Sequence, residues 1–197
     1  MKIKSKPMGS YGTNCYIVDI DDKQIIIDPG VGALSWIKVH AINPIAILNT
    51  HGHFDHVWSN KEVSEYFNIP IYCPKDDVFM LTNDPFSQGT PKSSVNFKVK
   101  PNDKIELLGK EISFLHFPGH TPGCSAIVID NLMFSGDFIF QGSIGRVDFP
   151  YSNPKDMKES LQRVLEFKEN YTIYPGHGNQ TTLLSEKMSL KAWLNYL

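Results

Sequence analysis

Short apolar runs alternate with turn residues along the first third of the chain, a pattern typical of buried strands separated by tight turns. The first two runs are joined through Asp21 and Asp22, and the second run ends at Asp28. The predicted strands are NCYIVDI (14–20), KQIIIDPG (23–30), PIAILNT (44–50) and IPIYCP (69–74), and the predicted helices are GALSWIKVH (32–40) and SNKEVSEYFN (59–68). The strand PIAILNT runs directly into the histidine-rich stretch THGHFDH (50–56).

After an irregular segment at residues 84–94, which we expect to be a surface loop, the same alternation returns. Asn153 and Pro154 predict a helix start, because asparagine caps a helix and proline suits its first turn. The predicted elements are a hairpin over 104–119 that turns at 109–110, two strands over 125–137 around a turn at 130–131, a helix over 153–170, a strand over 171–178 and a final helix over 185–197.

Composition limits the classes of function. The chain has 197 residues, which suits one domain over residues 1–197, and its formal net charge is -2. That charge provides no basic surface for nucleic acid or anionic membrane, and no apolar run approaches the roughly 20 residues of a membrane helix. The three cysteines are scattered and form no CxxC pair. We therefore expect a cytoplasmic protein whose partner is a small molecule; the sequence leaves a homo-oligomer open.

Seven polar residues lie where apolar strands end, and together they resemble a metal-binding set. They are His51, His53, Asp55 and His56 after PIAILNT, His120 after ISFLHFPG, Asp137 after NLMFSG, and His177 after YTIYPG. Five imidazoles and two carboxylates suit zinc, iron, manganese or nickel. A structural zinc site uses four ligands in a closed shell, so seven candidates favour two ions or one open, catalytic site. We assign no role to His40 or His116.

Four fragments in order, HxHxDH in THGHFDH, then PGHTPG, GD in SGDFIF, and PGHG, resemble the metallo-β-lactamase superfamily. The resemblance implies an α/β fold, the four-layer αββα sandwich, with a dinuclear site at one edge. By position, the first metal ion takes His51, His53 and His120. The second takes Asp55, His56 and His177, and Asp137 bridges the two.

The resemblance also implies the reaction class. Two divalent ions lower the pKa of a water held between them from about 15.7 towards 7, which supplies a hydroxide nucleophile at neutral pH. Asp55 is placed as a metal ligand that also orients this hydroxide. The expected cofactor is Zn²⁺, one or two ions, with iron or manganese as alternatives, and the expected reaction is hydrolysis of an activated carbonyl.

The stretch GDFIFQGSIGRVDFP (136–150) resembles the short bacterial hydrolases related to glyoxalase II, which cleave thioesters such as S-lactoylglutathione. Arg146 either pairs with Asp148 and braces the loop, which we favour, or binds a substrate carboxylate. Glyoxalase II has THHHWDH where this chain has Gly52 and Phe54, and it carries a C-terminal extension that binds glutathione, so the thiol carrier stays open. We also expect Asp28 to support the metal loop.

Other functions remain compatible with the residues. A persulfide dioxygenase binds one iron at the positions of His51, His120 and Asp137, although Phe54 favours the hydrolase. A lactonase or another metallo-hydrolase of the superfamily is a further alternative. A β-lactamase is disfavoured, because the commonest zinc β-lactamases have cysteine at the position of Asp137. A nuclease would need more basic surface. A non-enzymatic metal-buffering role is unusual with every ligand position intact.

Overall fold

The computed structural model describes all 197 residues, and its contacts divide the chain into two compact units, Met1–Lys100 and Pro101–Leu197. Each unit contains a six-stranded sheet and its own helices. The single domain expected over 1–197 stays a prediction. No helix of either unit combines the length and the apolar character that crossing a membrane requires.

The sheet of the first unit follows chain order. Its strands β1 to β6 are Lys2–Met8, Thr13–Ile20, Lys23–Ile27, Pro44–Leu48, Ile71–Pro74 and Phe97–Val99. The first three strands pair antiparallel, and β3 to β6 pair parallel. The helices α1 to α4 are Ala33–His40, Phe54–Val57, Asn60–Phe67 and Val78–Asn83, with a 3-10 turn at Lys75–Asp77.

Isoleucines in register build the core of this unit. Ile17 pairs with Ile26, Ile26 with Ile47, and Ile47 with Ile71, so one row of side chains crosses four strands. This row belongs to the same buried cluster as Ile37 of α1. The strand side chains that point to the other face of the sheet are buried as well, which agrees with the unbroken apolar character of the parallel strands. The sheet therefore fixes the backbone up to the strand ends that the candidate ligands follow.

The second unit has a mixed sheet in the order β14-β13-β10-β9-β8-β7, and only β10 and β13 pair parallel. Its strands β7 to β14 are Lys104–Leu107, Lys110–His116, Ser125–Ile129, Leu132–Gly136, Ile139–Phe140, Ser143–Ile144, Thr172–Pro175 and Thr181–Thr182. The helices α5 and α6 are Pro154–Leu165 and Leu183–Tyr196. Phe117 stacks on Phe138 with ring centroids 4.3 Å apart in the core.

Most of the predicted strands and helices are present, but the predicted end of the helix over 153–170 is wrong. Asn153 caps α5 as expected, its side chain accepting from Lys155 N and Asp156 N. The helix ends at Leu165, and Lys187 of α6 donates to the carbonyls of Leu165 and Phe167 at this end, at 3.3 and 2.7 Å. The sequence patterns missed α2, the 3-10 turn, α4, β6, the β11–β12 hairpin and β14.

Candidate metal centre

The loop after β4 brings four of the predicted ligands together in the first unit. All four side chains are buried, and the ring centroid of His51 lies 5.0 Å from that of His53 and 4.1 Å from that of His56. His53 is the N-terminal cap position of α2, and this short helix carries Asp55 and His56. The start of this short helix thus places the rings of His53 and His56 next to the ring of His51.

Gly52 has a steric reason to be glycine. Its N–H donates to Asp77 Oδ2 at 2.9 Å, and a Cβ at this position would lie 2.8 Å from the backbone oxygen of Asp77 and 3.0 Å from Met80 Cβ. The 3-10 turn and α4, which the sequence patterns missed, therefore pack directly against the histidine loop. A histidine in this place, as in the glyoxalase II motif, would require these elements to move.

Asp28 orients two of the histidines. Its Oδ1 accepts from Thr50 N at 2.9 Å, and its Oδ2 accepts from Thr50 Oγ1 at 2.6 Å and from His56 Nδ1 at 3.0 Å. The Thr50 hydroxyl uses its one hydrogen on Asp28, so Oγ1 accepts from His51 Nδ1 at 3.0 Å. Both rings then carry the proton on Nδ1 and keep a lone pair on Nε2, the form that binds a metal.

These contacts agree with the supporting role expected of Asp28. Candidate ligand atoms of Asp28, His51 and His56 lie within 4.8 Å of one another, but the carboxylate oxygens are engaged by Thr50 and by the Nδ1 side of His56. Asp28 is 2% exposed and holds a φ of 48°, a left-handed conformation that aspartate tolerates better than most residues.

His120 sits on the loop after β8, and α5 with its cap holds that loop. Donors from this helix region bond four carbonyls between the end of β8 and His120. They are Ser152 Oγ to His120 O at 2.7 Å, Asn153 N to Gly119 O at 2.8 Å, Ser160 Oγ to Pro118 O at 2.7 Å and Arg163 Nη2 to His116 O at 2.9 Å. Gly119 permits the approach, because a Cβ there would lie 2.5 Å from the backbone of Met157. The ring of His120 donates from Nδ1 to Arg146 O at 2.8 Å.

The carboxylate of Asp137 lies between two imidazoles of the second unit. Its Oδ2 is 3.3 Å from His120 Nε2 and 3.5 Å from His177 Nε2. Asp137 and His177 follow the parallel strands β10 and β13, whose ends are tied by Gly176 N donating to Gly136 O at 2.8 Å. The bridging position that the family pattern gives Asp137 stays a prediction.

Three distances within the units test whether the donor set fits a metal ion. Ligand atoms at the corners of a tetrahedron, 2.0–2.2 Å from zinc, stand about 3.3–3.6 Å apart. The Asp137 Oδ2 separations from His120 and His177 fall in this range, and His56 Nε2 lies 3.6 Å from Asp55 Oδ2. A His/Asp cluster with this spacing and with oriented rings fits a metal ion.

The loop over 142–149 supports the site in two ways. Arg146 donates from Nε to Asp148 Oδ1 at 2.9 Å and from Nη2 to Asp148 Oδ2 at 2.7 Å, so the structure contains the predicted brace. This hydrogen-bonded pair raises the pKa of Arg146 and lowers that of Asp148. Gly145 packs so tightly that a Cβ would overlap the backbone oxygen of Asp137.

Sequence reasoning missed three supporting residues. Gly145 lies inside the GSIGR motif, and a glycine in a motif is a usable signal for close backbone approach. Thr13 and Asp77 carry no local signal, because their contacts are with residues 42 and 25 positions away along the chain. The segment 84–94 is irregular as expected, and its Phe86 places its ring centroid 5.1 Å from that of His53.

Comparisons with known proteins agree with this geometry. Residues 8–177 match the family model described as the metallo-beta-lactamase superfamily. Hydroxyacylglutathione hydrolase GloC of Haemophilus influenzae is 31% identical over 204 residues, covering 96% of each chain.

Two solved structures share both fold and sequence. The BLEG-1 B3 metallo-beta-lactamase superposes with a TM-score of 0.84 at 30% identity, over 94% of this chain and 96% of its own. TTHA1623 in a di-iron-bound form superposes with a TM-score of 0.82 at 31% identity, over 94% of this chain and 98% of its own. These findings confirm the predicted fold class. The chain belongs to the metallo-β-lactamase superfamily.

Proposed function

We propose that this protein is a metal-dependent hydrolase that cleaves a thioester such as S-lactoylglutathione. The observation that carries the proposal is the set of buried imidazoles whose Nδ1 atoms are held by Asp28, Thr50 and Arg146 O, with carboxylate oxygens spaced for a shared ion. The similarity to hydroxyacylglutathione hydrolase GloC over 96% of each chain supports the thioester as substrate.

By the family pattern, seven residues would hold the ions. They are His51, His53 and His120 for one ion, and Asp55, His56 and His177 for the other, with Asp137 between them. Zn²⁺ is the proposed occupant, as one or two ions, and iron or manganese suits the same donors. When bound, such ions lower the pKa of a coordinated water and polarise the thioester carbonyl.

Residues of this chain would orient the reactants. Asp55 is the residue we propose to position the attacking water, by accepting a hydrogen bond from it. The water loses one proton to solution as its oxygen adds to the acyl carbon. The carbon–sulfur bond then breaks, and the sulfur leaves as a thiolate that takes up a proton from solution. The products are a carboxylic acid and a thiol.

Arg146 is the candidate for an anionic group of the substrate. Its pair with Asp148 uses two of the five N–H donors of the guanidinium, and 64% of its side chain is exposed. The remaining donors are therefore available to a carboxylate, which would make Arg146 both a brace of the loop and a substrate contact.

The direct test is the loss of thioester absorbance of S-lactoylglutathione, using protein loaded separately with zinc and with iron. We expect metal-dependent hydrolysis that is lost in His53→Ala and retained in His40→Ala, an exposed histidine outside the candidate site. No hydrolysis with either metal would refute the thioester proposal.

Two alternative functions are suggested by the structural relatives. The di-iron-bound form of TTHA1623 supports iron as an occupant, and with iron the His51, His120 and Asp137 set suits a persulfide dioxygenase. Oxygen uptake by the iron-loaded protein with glutathione persulfide tests this. The BLEG-1 B3 metallo-beta-lactamase supports another hydrolase of the superfamily, which turnover of a chromogenic β-lactam and of a lactone would test.

A further inference from the structure

We infer that Thr13 is a positioning residue for Asp55, and that its hydroxyl decides how tightly the metal ion assigned to Asp55 and His56 is held. The inference rests on the proposed function only in taking Asp55 as a metal ligand. It begins from a hydrogen bond between two buried residues that lie 42 positions apart: Thr13 Oγ1 donates to Asp55 Oδ2 at 2.6 Å.

The oxygen that accepts this bond is the one that faces the neighbouring ligand. Asp55 Oδ2 lies 3.6 Å from His56 Nε2, a spacing that suits two ligands of one ion. A carboxylate oxygen has two lone pairs, so Oδ2 can accept from the hydroxyl and still bind a cation. The Thr13 hydroxyl thereby fixes the plane of the carboxylate with one oxygen turned towards His56.

The position of Thr13 is itself well determined. It is the first residue of β2, paired with Met8 across the β1–β2 ladder, and its side chain is 0% exposed. The turn before it contains Gly9 and Gly12, both at positive φ, with Gly12 N donating to Gly9 O at 3.4 Å. A tight turn and a strand ladder thus hold the hydroxyl donor in place.

Asp55 is confined from two sides. A Cβ on Gly30 would lie 2.6 Å from Asp55 O and 3.6 Å from Thr13 Cβ, so the backbone of Asp55 packs closely against a glycine. The preceding residue, Phe54, places its ring edge-on to that of Tyr11 at a centroid distance of 5.3 Å. The backbone of Asp55 is therefore closely packed, and the Thr13 hydroxyl acts on the orientation of the carboxylate.

Removing the hydroxyl should weaken metal binding. The terminal torsion of an aspartate is broad, so loss of the Thr13 hydroxyl weakens the preference for the orientation in which an oxygen of the carboxylate is turned towards His56. Residues that orient a metal ligand typically change metal affinity by roughly 10–100-fold when they are substituted. We expect that range for Thr13→Val, which keeps the shape of the side chain and lacks the hydroxyl.

The experiment measures zinc binding without substrate, by competition with a chromophoric chelator. Thr13→Val and Thr13→Ala should weaken one binding step roughly 10–100-fold, and Thr13→Ser, which keeps the hydroxyl, should restore it. Thr82→Val is the matched control, because the Thr82 hydroxyl bonds carbonyls of its own helix, Val78 O and Phe79 O, at 3.3 Å. Urea unfolding of the metal-free proteins reports whether each variant folds.

The inference is overturned if every zinc-binding step of folded Thr13→Val and Thr13→Ala stays within twofold of the wild type. Equal losses in Thr13→Ser and Thr13→Val would also overturn it, because the hydroxyl would then not be the cause. Absence of thioester hydrolysis would leave these binding constants unaffected, so failure of the proposed function and failure of this inference are distinguishable.

Discussion

Replacing Asp28 by asparagine tests how the histidines of the first unit are held. Asparagine tolerates the left-handed backbone of residue 28, at φ 48°, as well as aspartate does, so Asp28→Asn changes the side-chain chemistry and preserves the backbone. In the native protein, Oδ2 accepts from Thr50 Oγ1 and from His56 Nδ1. In the variant, an NH₂ group takes the place of Oδ2, so its hydrogens point at the Nδ1–H of His56.

The expected effect on stability comes from the lost charged acceptor. A hydrogen bond to a charged group contributes about 1.5–3 kcal/mol, and the Thr50 hydroxyl can turn to accept from the new amide. The bonds at residue 28 are then neutral ones worth about 0.5–1.5 kcal/mol each, so the free energy of unfolding of the metal-free protein should fall by about 1–3 kcal/mol.

The expected effect on metal binding is the more specific one. His56 relieves the contact between two donors by moving its proton from Nδ1 to Nε2, where a protonated nitrogen has no lone pair for a metal ion. Metal affinity should therefore fall by roughly 10–100-fold, beyond what the change in stability alone predicts.

Urea unfolding of the chelator-treated protein measures the first effect, and zinc competition titration measures the second. Asp21→Asn is the control, because it removes an exposed carboxylate at a similar left-handed backbone, φ 52°, and should change the unfolding free energy by less than about 0.5 kcal/mol. An Asp28→Asn protein that binds zinc within twofold of the wild type would refute the role assigned to Asp28, whatever its stability.

Three further predictions concern other parts of the molecule. Gly145→Ala should lower the unfolding free energy by about 1–3 kcal/mol and weaken metal binding, because its Cβ would overlap Asp137 O. Gly142→Ala is the control, because a Cβ there meets nothing within 4 Å. Its left-handed backbone should lower the unfolding free energy by about 1–2 kcal/mol in urea unfolding, and metal binding should stay unchanged. Burial, and then the charge of Asp28, raise the pKa of the Cys15 thiol; burial, and then the charges of Asp77 and Asp28, raise the pKa of the Cys73 thiol. Both thiols should therefore resist Ellman's reagent near neutral pH until the protein is unfolded. Fast reaction of the native thiols would contradict this. The hydrogen bonds from Arg146 lower the pKa of Asp148, so this pair stabilises the fold at pH values above the ordinary carboxyl pKa of about 3.9, and the stabilisation is lost as the pH falls through the lowered pKa. In an NMR titration, the pKa of Asp148 should rise in Arg146→Gln. An unchanged pKa would show that Arg146 does not cause the lowering.

The candidate metal ligands could be recognised in the sequence because the chemistry and the strand ends are both local properties. A histidine that follows a buried strand is recognisable from its neighbours, and four motifs in order identify the superfamily. The end of α5 could not be predicted in this way, because no glycine or proline follows Leu165 closely, and the contact made at this end by Lys187 comes from some 20 positions further along the chain.

The sequence by itself determined the donor set, the alternation of strands and helices, and the family. The tertiary structure decided which protons the imidazoles carry and which way the carboxylates face. Those properties depend on Asp28, Thr13 and the backbone oxygen of Arg146, which reach the ligands only after distant segments close against one another. A hydrogen bond across 42 residues leaves no periodic trace in the sequence, because its two partners are brought together by the fold and not by their spacing along the chain.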